Sequence, residues 1–240
     1  TAACALMMAG ALVNTSCKDE VLTGQPDWLG NSIYERLQEE GNYQTVMRLI
    51  DDLGQHEVLA HTGSKTLFAA DDSAYNAWYG NNSWGVRSYD DLSLAQKKLL
   101  LKNAMINNAY LVELMSNDVA KSAGSTPLEG RAMRRETAVS IYDSVYIMPV
   151  EKFPQVKTWD ALRERNKPIP IMCDITEPPM IHFLPAFMRY HNITDEDLAI
   201  LTNQQAKSTA EAWVNGKRIG ERDITCKNGY IQKVDGLATA

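Results

Sequence analysis

Two Asn-Gly pairs near the C-terminus constrain the fold of this chain more than any other feature of its sequence. They lie in WVNGKRI (213–219) and CKNGYIQKV (226–234), where strand-forming residues flank each pair. A type I′ hairpin turn needs a positive φ at both central positions, and Asn-Gly adopts that conformation most readily. Two such turns in close succession predict a three-stranded antiparallel meander.

Helical patterns dominate the first third of the chain. Ser32 with Glu35 predicts a capping box for a short helix that ends near Gly41. Asn42 is then expected to cap a second helix, which Gly54 closes. Apolar residues recur in that second helix at helical spacing: Tyr43, Val46, Met47, Ile50 and Leu53.

Further along, the apolar patterns predict both helices and strands. A short helical piece is expected in QHEVLAH, and a long helix over about 90–115. Strands are expected at 65–70, 131–139 and 144–148.

Prolines interrupt the chain after these elements, with seven of the nine between 149 and 185. Because proline cannot continue a helix or a central strand, this stretch predicts an irregular excursion. Helix is expected to resume around 180–191 and again at 195–202. Thr194 with Asp197 supplies a capping box for the last of these helices.

The overall composition excludes one class of partner. The chain has 240 residues, of which 45% are hydrophobic and 22% charged, as in ordinary globular proteins. Its 24 basic and 30 acidic residues give a net charge of −6. A non-specific nucleic-acid binder needs a basic face to displace counterions from phosphates, so we expect no nucleic-acid partner.

The N-terminus has the character of a targeting segment. TAACALMMAGALV is apolar and uncharged, too short to span a membrane, and is followed by NTSCKDE. This pattern resembles the hydrophobic region and lipobox of a bacterial lipoprotein signal, with residues 1–16 removed and Cys17 lipidated. The alternative is a disordered or buried N-terminal helix.

Lipidation of Cys17 would tether the protein to a membrane by acyl chains without spanning it. Residues 17–31 then form a linker. Asp19 and Glu20 resemble the acidic tag of lipoproteins displayed on the outer surface of Gram-negative cells, so the predicted location is the outer-membrane surface.

The remaining cysteines suggest no metal site. Cys4 would leave with the signal, and the spacing of Cys173 and Cys226 matches no zinc pattern. These two residues could form a disulfide in an oxidising compartment or remain free thiols, with free thiols favoured.

Asp71 and Asp72, in KTLFAADDSAY, raise the question of catalysis. They follow an apolar strand and precede a helix that carries Tyr75, Trp78 and Tyr79. A carboxylate at this point accepts hydrogen bonds from the free N–H groups of the helix and suits its positive end. A metal site or an acid–base pair would need further partners, so capping is favoured.

The segments SKTLFAADDSAYNAWY (64–79) and VNGKRIGERDITCKNGYIQKVDGL (214–237) resemble the opening and closing signatures of the fasciclin (FAS1) domain. LLLKNAMINNAYL (99–111) stands where that family has its Leu-Leu-Tyr-His motif. The predicted domain is 32–238, with an insertion at about 150–205 that the usual domain lacks.

This resemblance implies an α+β fold: a β-wedge or sandwich with packed helices and, here, an inserted Pro-rich lobe. It also implies extracellular adhesion or matrix and glycan contact, with no cofactor or catalysis. Lys102 and Asn103 replace the family's Tyr-His, and Gln232 replaces the closing histidine. Partner contacts attributed to those residues therefore do not transfer to this chain.

The four histidines offer little for chemistry. His56 and His61 in HEVLAH are five residues apart, about 140° around a helix, so one metal ion could not easily contact both. His182 and His191 have no G-x-S-x-G motif or phosphate loop to pair with, and a packed or surface role is favoured.

The aromatic loop NAWYGNNSWG is the candidate binding site. Trp78, Tyr79 and Trp84 flank Asn81 and Asn82, and aromatic faces beside amide groups suit a sugar. The alternative is that these rings cover the core.

The predicted function is therefore a surface-anchored adhesion or binding module, without catalysis, that contacts a glycan or an extracellular protein. The alternative is an accessory lipoprotein of a glycan-uptake assembly, which docks onto a partner through its insertion. A third class, a hydrolase, would depend on Asp71, Asp72 or His182.

Overall fold

The computed structural model describes residues 30–61, 63–118, 128–138, 146–148, 154–155, 157, 160–164, 169–171 and 179–238. The predicted signal segment, most of the linker and three of the cysteines (Cys4, Cys17 and Cys173) lie outside these residues.

Within them the chain forms the following α-helices: α1 Ile33–Glu40, α2 Gln44–Asp52, α3 His56–Ala60, α4 Asp72–Gly80, α5 Leu94–Lys102, α6 Val112–Met115, α7 Asp160–Glu164, α8 Pro185–His191 and α9 Asp195–Leu201. A 3₁₀ turn, Tyr89–Asp91, precedes α5. In this part of the chain no helix is both long and apolar enough to cross a membrane.

The strands are β1 Lys65–Ala70, β2 Met105–Ile106, β3 Arg134–Glu136, β4 Tyr146–Met148, β5 Ile169–Ile171, β6 Pro179–Phe183, β7 Ala212–Val214, β8 Lys217–Ile219, β9 Ile224–Cys226 and β10 Gly229–Val234. The strand predicted at 65–70 is confirmed. β3 and β4 lie within the strands predicted at 131–139 and 144–148; residues 139 and 144–145 lie outside the described residues. Helices and strands alternate irregularly, so the fold is α+β.

Eight strands form one mixed sheet in the order β2-β1-β10-β8-β7-β6-β3, with β9 also paired to β10. The two ends of the sheet approach each other, since the Ala138 N–H just after β3 donates to the Met105 carbonyl of β2 at 2.8 Å. The sheet is thus a nearly closed barrel. β4 and β5 form a separate hairpin-like pair.

The centre of the sheet joins the two halves of the chain. β1 and β10 run parallel in register from Lys65 opposite Gly229 to Ala70 opposite Val234. The largest fully buried side chains pack against this pair from several helices and strands: Phe68, Ile33, Leu37, Leu49, Ile50, Leu59, Leu67, Leu100, Leu101, Met115, Met180 and Leu184. Burial of this apolar surface is the main stabilising contribution to the fold.

The predicted meander is present, with a change in its middle strand. β8 and β9 pair successively with the same strand, β10, and residues 220–223 between them form an interruption in which Asp223 has φ 63°. At the first turn, Asn215 and Gly216 have φ 44° and 71°, as the prediction required.

The second Asn-Gly pair does not form a type I′ turn. Cys226 pairs with Gly229, so Lys227 and Asn228 are the turn residues, and Gly229 already belongs to β10. The Asn228 side chain is buried instead, where its Oδ1 accepts from the Ile33 N–H at 2.9 Å. A tertiary contact therefore determines this turn.

The long helix predicted over 90–115 is wrong. The chain leaves the helical conformation after α5 so that β2 can pair with β1, Thr66 opposite Ile106. A second short helix, α6, then follows. Pairing with a central strand outweighs the local helix propensity of Met105 and its neighbours.

The helix predicted around 180–191 is wrong in its first half, which forms β6. Side chains there alternate between exposed and buried, with Met180 and His182 inside, and this is the period of a strand. β6 pairs with both β3 and β7 in the main sheet, so this segment of the predicted insertion belongs to that sheet.

Two helices follow β6 and form a smaller apolar cluster. α8 begins at Pro185, and α9 begins with the predicted Thr194–Asp197 capping box, which is confirmed. Their buried side chains pack together with one residue of β7: Phe187, Met188, Leu198, Ala206 and Trp213.

Candidate ligand-binding site

The two aspartates at the end of β1 cap two different helices. Asp71 Oδ1 accepts from the Ala74 N–H at 2.8 Å and so caps α4, as predicted. The Asp72 carboxylate instead accepts from the N–H groups of Gln44 at 3.0 Å and Thr45 at 2.8 Å, at the start of α2.

The predicted cap of α2, Asn42, is therefore wrong. No side chain adjacent in sequence caps α2, and Asn42 contributes only its carbonyl, which accepts from the Asp72 N–H at 2.9 Å. Because the Asp71 and Asp72 carboxylates are both bonded to backbone N–H groups, neither is placed as a general acid or base.

Replacing Asp72 should destabilise the protein through α2. Asp72→Ala removes both acceptors from the helix start, and we expect the free energy of unfolding to fall by about 1 kcal/mol. Asp72→Asn keeps one oxygen acceptor and should lose less. Urea unfolding followed by circular dichroism measures both variants; equal stability of Asp72→Ala and wild type would contradict the cap.

The aromatic loop is fixed by Asn82. Its Nδ2 donates to the carbonyls of Trp78 and Val86 at 3.0 and 2.6 Å, and its Oδ1 accepts from the N–H groups of Trp84 and Val86 at 3.0 and 3.2 Å. Both the amide nitrogen and the amide oxygen of Asn82 are thus used in hydrogen bonds within the loop. Asn82 therefore positions the tryptophans, and Asn81 is the exposed amide.

Tyr79 does not belong to the surface that the two tryptophans form. Its hydroxyl is buried without a hydrogen-bond partner among the described residues, and burial raises its pKa to about 12. Its ring lies 6.3 Å from that of the buried Tyr75. Tyr79 therefore packs towards the core. Trp78 and Trp84 are partly buried and also pack against the core, so the alternative interpretation of the loop holds in part for all three rings.

Trp78 and Trp84 together line an open groove. Their rings are perpendicular with centroids 5.3 Å apart, and both are only partly buried. The groove has a volume of about 350 Å³, and we call it the tryptophan groove. Its other lining residues come from α4, the loop after it, and the C-terminal hairpin: Ala74, Ala77, Asn81, Ser83, Lys217, Asp235, Gly236 and Leu237.

Sequence patterns did not indicate the residues opposite the tryptophans. Lys217 directly follows the Asn215-Gly216 turn, and Asp235 directly follows β10. Both lie within the closing fasciclin-like segment (214–237), more than a hundred residues from Trp84. Only the parallel pairing of β1 with β10 brings these two parts of the chain together.

A larger cavity of about 620 Å³ lies near β2 and β3, and several of its polar side chains are already paired with other residues. Arg135 donates to the carbonyls of Met115 and Asn117 and stacks 4.9 Å from the Tyr110 ring centroid. Asn107 accepts from Lys65 Nζ at 2.7 Å. Fewer of the polar side chains that line the tryptophan groove form hydrogen bonds with other described residues.

The histidines do not converge on a site. His56 and His61 lie at the two ends of α3, each 3.8 Å from a carboxylate oxygen of Glu57. His191 packs its ring 4.4 Å from that of Phe187. The described residues contain no cluster of three or more His, Cys, Asp or Glu side chains that could hold a metal ion.

His182, the remaining histidine, is fully buried in β6. Neither ring nitrogen has a hydrogen-bond partner among the described residues. Burial, with a smaller contribution from the charge of Arg135, lowers the pKa of His182 to about 4. It has no access to a ligand in this position.

Two residues noted in the sequence have structural roles. Gln232, which stands in place of the family's histidine, is buried. Its Oε1 accepts from the Asp223 backbone N–H at 2.8 Å, and its Nε2 donates to Asp223 Oδ1 at 2.9 Å. Cys226 is a buried free thiol whose pKa burial raises to about 11. Neither residue is placed for chemistry.

Comparison with known proteins does not assign the chain to a family: no protein-family model and no curated protein matches it.

Proposed function

We propose that this protein is a non-catalytic binding module that takes a glycan into the tryptophan groove. The observation that carries the proposal is the partly exposed Trp78–Trp84 pair, held open by Asn82 and faced by Lys217 and Asp235. Apolar ring faces beside polar and charged groups complement a sugar, which has apolar C–H faces and a rim of hydroxyl groups.

The module is proposed to be fasciclin-like. In support, the two segments that resemble the family's signatures contain β1 and β10, which pair over six residues at the centre of the sheet. Both segments contribute to the tryptophan groove, since Trp78 lies in the first segment and Lys217 and Asp235 lie in the second. Lipidation at Cys17 and display on the outer-membrane surface complete the proposal.

The alternative function, docking of an accessory lipoprotein onto a partner of a glycan-uptake assembly, has one supporting observation. Helix α9 leaves two large apolar side chains in solvent, Ile200 at 72% and Leu201 at 52% exposure. These residues lie within the predicted insertion. This alternative predicts that changes in the tryptophan groove leave partner binding unaffected.

A glycan array with purified protein tests the main proposal. Trp84→Ala removes one wall of the groove, and we expect an affinity loss of about tenfold or more for any glycan that binds wild type. Titration calorimetry on the strongest array hit measures the loss. Tyr190→Ala is the control, because Tyr190 is an aromatic residue 46% exposed on α8, outside the groove.

A second variant separates binding from folding. Ala77 is exposed on α4 and lines the groove, so Ala77→Gln obstructs the groove while keeping both tryptophans. We expect native circular dichroism and the same loss of binding. The proposal would be contradicted if Trp84→Ala and Ala77→Gln both bound the glycan as tightly as wild type does. It would also be contradicted if wild type bound no glycan.

A further inference from the structure

A second cavity continues from the tryptophan groove. It has a volume of about 530 Å³, and Lys217 and Asp235 line both spaces. We call it the cationic pocket, from the charged side chains that surround it along with the buried Trp213: Lys207, Lys217, Arg218, Glu211 and Asp235. A ligand longer than the tryptophan groove would extend into this pocket.

Hydrogen bonds already engage the two carboxylates of the pocket. Glu211 Oε2 accepts from the Lys207 backbone N–H at 3.0 Å. Asp235 Oδ1 accepts from the Arg218 backbone N–H at 3.0 Å, and its other oxygen lies 3.8 Å from Arg218 Nε. Both carboxylates therefore accept hydrogen bonds from the backbone and stabilise the local structure.

The cations of the pocket retain unused donors. The Lys217 ammonium has no hydrogen bond or ion pair with any described residue, and Lys207 Nζ makes a single long contact, 3.5 Å to the Gln204 carbonyl. Arg218 has five N–H donors and uses them only in the loose pair with Asp235. Three cations against two engaged carboxylates leave a surplus of donors in a chain whose net charge is −6.

The Lys217 side chain passes close over Gly236 between the two spaces. A Cβ at position 236 would lie 2.9 Å from Lys217 Cδ and 3.4 Å from its Nζ. The lysine stem therefore lies flat over the bare glycine backbone, with its ammonium at the junction of groove and pocket.

We propose that the ligand is an acidic oligosaccharide, with sugar rings in the tryptophan groove and a uronic-acid carboxylate beside Lys217 and Arg218 in the cationic pocket. This inference rests on the proposed glycan binding and names its substrate class. Carboxylates accept charge-assisted hydrogen bonds from ammonium and guanidinium groups, and these are stronger than neutral ones. A neutral glycan would leave the surplus donors without an anionic partner.

The test is titration calorimetry with a panel of uronate tetrasaccharides, galacturonate, mannuronate and glucuronate, each beside its carboxyl-reduced neutral form. We expect wild type to bind at least one acidic member about tenfold more tightly than its reduced form. Lys217→Gln, which keeps most of the stem, should weaken binding of the acidic form far more than binding of the reduced form and so remove most of that preference. Lys157→Gln, at an exposed lysine that lines neither space, is the control of equal charge change.

The outcomes separate the two proposals. Equal binding of acidic and reduced forms, lost in Trp84→Ala, would overturn the acidic specificity and leave glycan binding in place. If Lys217→Gln and Lys157→Gln weakened the preference for the acidic form equally, the ligand's carboxylate would not lie beside Lys217. That result would overturn its assignment to the cationic pocket. Binding of no panel member, on a protein that does bind neutral glycans on the array, would overturn the acidic class alone; no binding to any glycan overturns both.

Discussion

Gly229→Ala should destabilise the protein by more than about 3 kcal/mol and leave it largely unfolded at 37 °C. A Cβ at this position would lie 1.9 Å from the Lys65 carbonyl oxygen and 2.9 Å from its backbone nitrogen. Gly229 also has φ 150°, which side-chain-bearing residues rarely adopt. Because Lys65 opens β1, the clash falls on the strand pair that joins the two halves of the chain.

A nearby glycine supplies the matched control for this prediction. Gly220 follows β8, has no positive φ, and a Cβ there would meet only the Lys233 carbonyl at 3.9 Å. We expect Gly220→Ala to change the free energy of unfolding by less than about 1 kcal/mol. Thermal and urea unfolding measure both variants; equal stability of the two would show that β1 and β10 do not approach as closely as described.

His182→Leu should remove a large part of the loss of stability in mild acid. In the folded protein His182 has a pKa of about 4, and in the unfolded chain it has an ordinary value near 6.5. Above pH 6.5 both states are neutral, so the group contributes no pH dependence. Between pH 6.5 and 4 only the unfolded state binds the proton, and stability falls as the pH falls.

The expected size of this effect is about 2 kcal/mol between pH 7 and pH 5. His182→Leu replaces two buried ring nitrogens that lack partners among the described residues, so we expect stability within about 1 kcal/mol of wild type at pH 7. At pH 5 the variant should be clearly more stable than wild type. Urea unfolding at several pH values measures the difference.

His191→Leu is the control, because His191 is exposed on α8. The carboxylates cannot imitate the His182 effect. Glu35 has an ordinary pKa near 4.3 in the unfolded chain, and backbone and side-chain hydrogen bonds lower its pKa to about 2 in the folded protein. The stability that it contributes is therefore lost only as the pH falls below about 4.3. If wild type and His182→Leu lost equal stability from pH 7 to pH 5, the account of His182 would be wrong.

The candidate site shows how far sequence reasoning extends. The tryptophans at 78 and 84 were identified from an aromatic loop, and the structure places both in one groove. Tyr79, in the same loop, turns to the core, because adjacent residues on a helix point in different directions. Lys217 and Asp235 carried no local signal that connected them with the loop.

The sequence alone determined the elements whose causes lie within three or four residues. The capping boxes at Ser32 and Thr194, and the hairpin turn at Asn215-Gly216, form as predicted. In each case a side chain bonds the backbone of its own turn, or a residue type permits the required φ. Such interactions depend little on what the rest of the chain does.

The tertiary structure decided everything that depends on distant partners. Asp72 caps a helix that begins 28 residues before it, Asn228 bonds the start of α1, and Met105 leaves a helical pattern to pair with β1. Each of these residues satisfies a helix start or a strand edge that only the assembled fold presents. The same assembly brings Lys217 to Trp84, so the candidate site itself is a product of the tertiary fold.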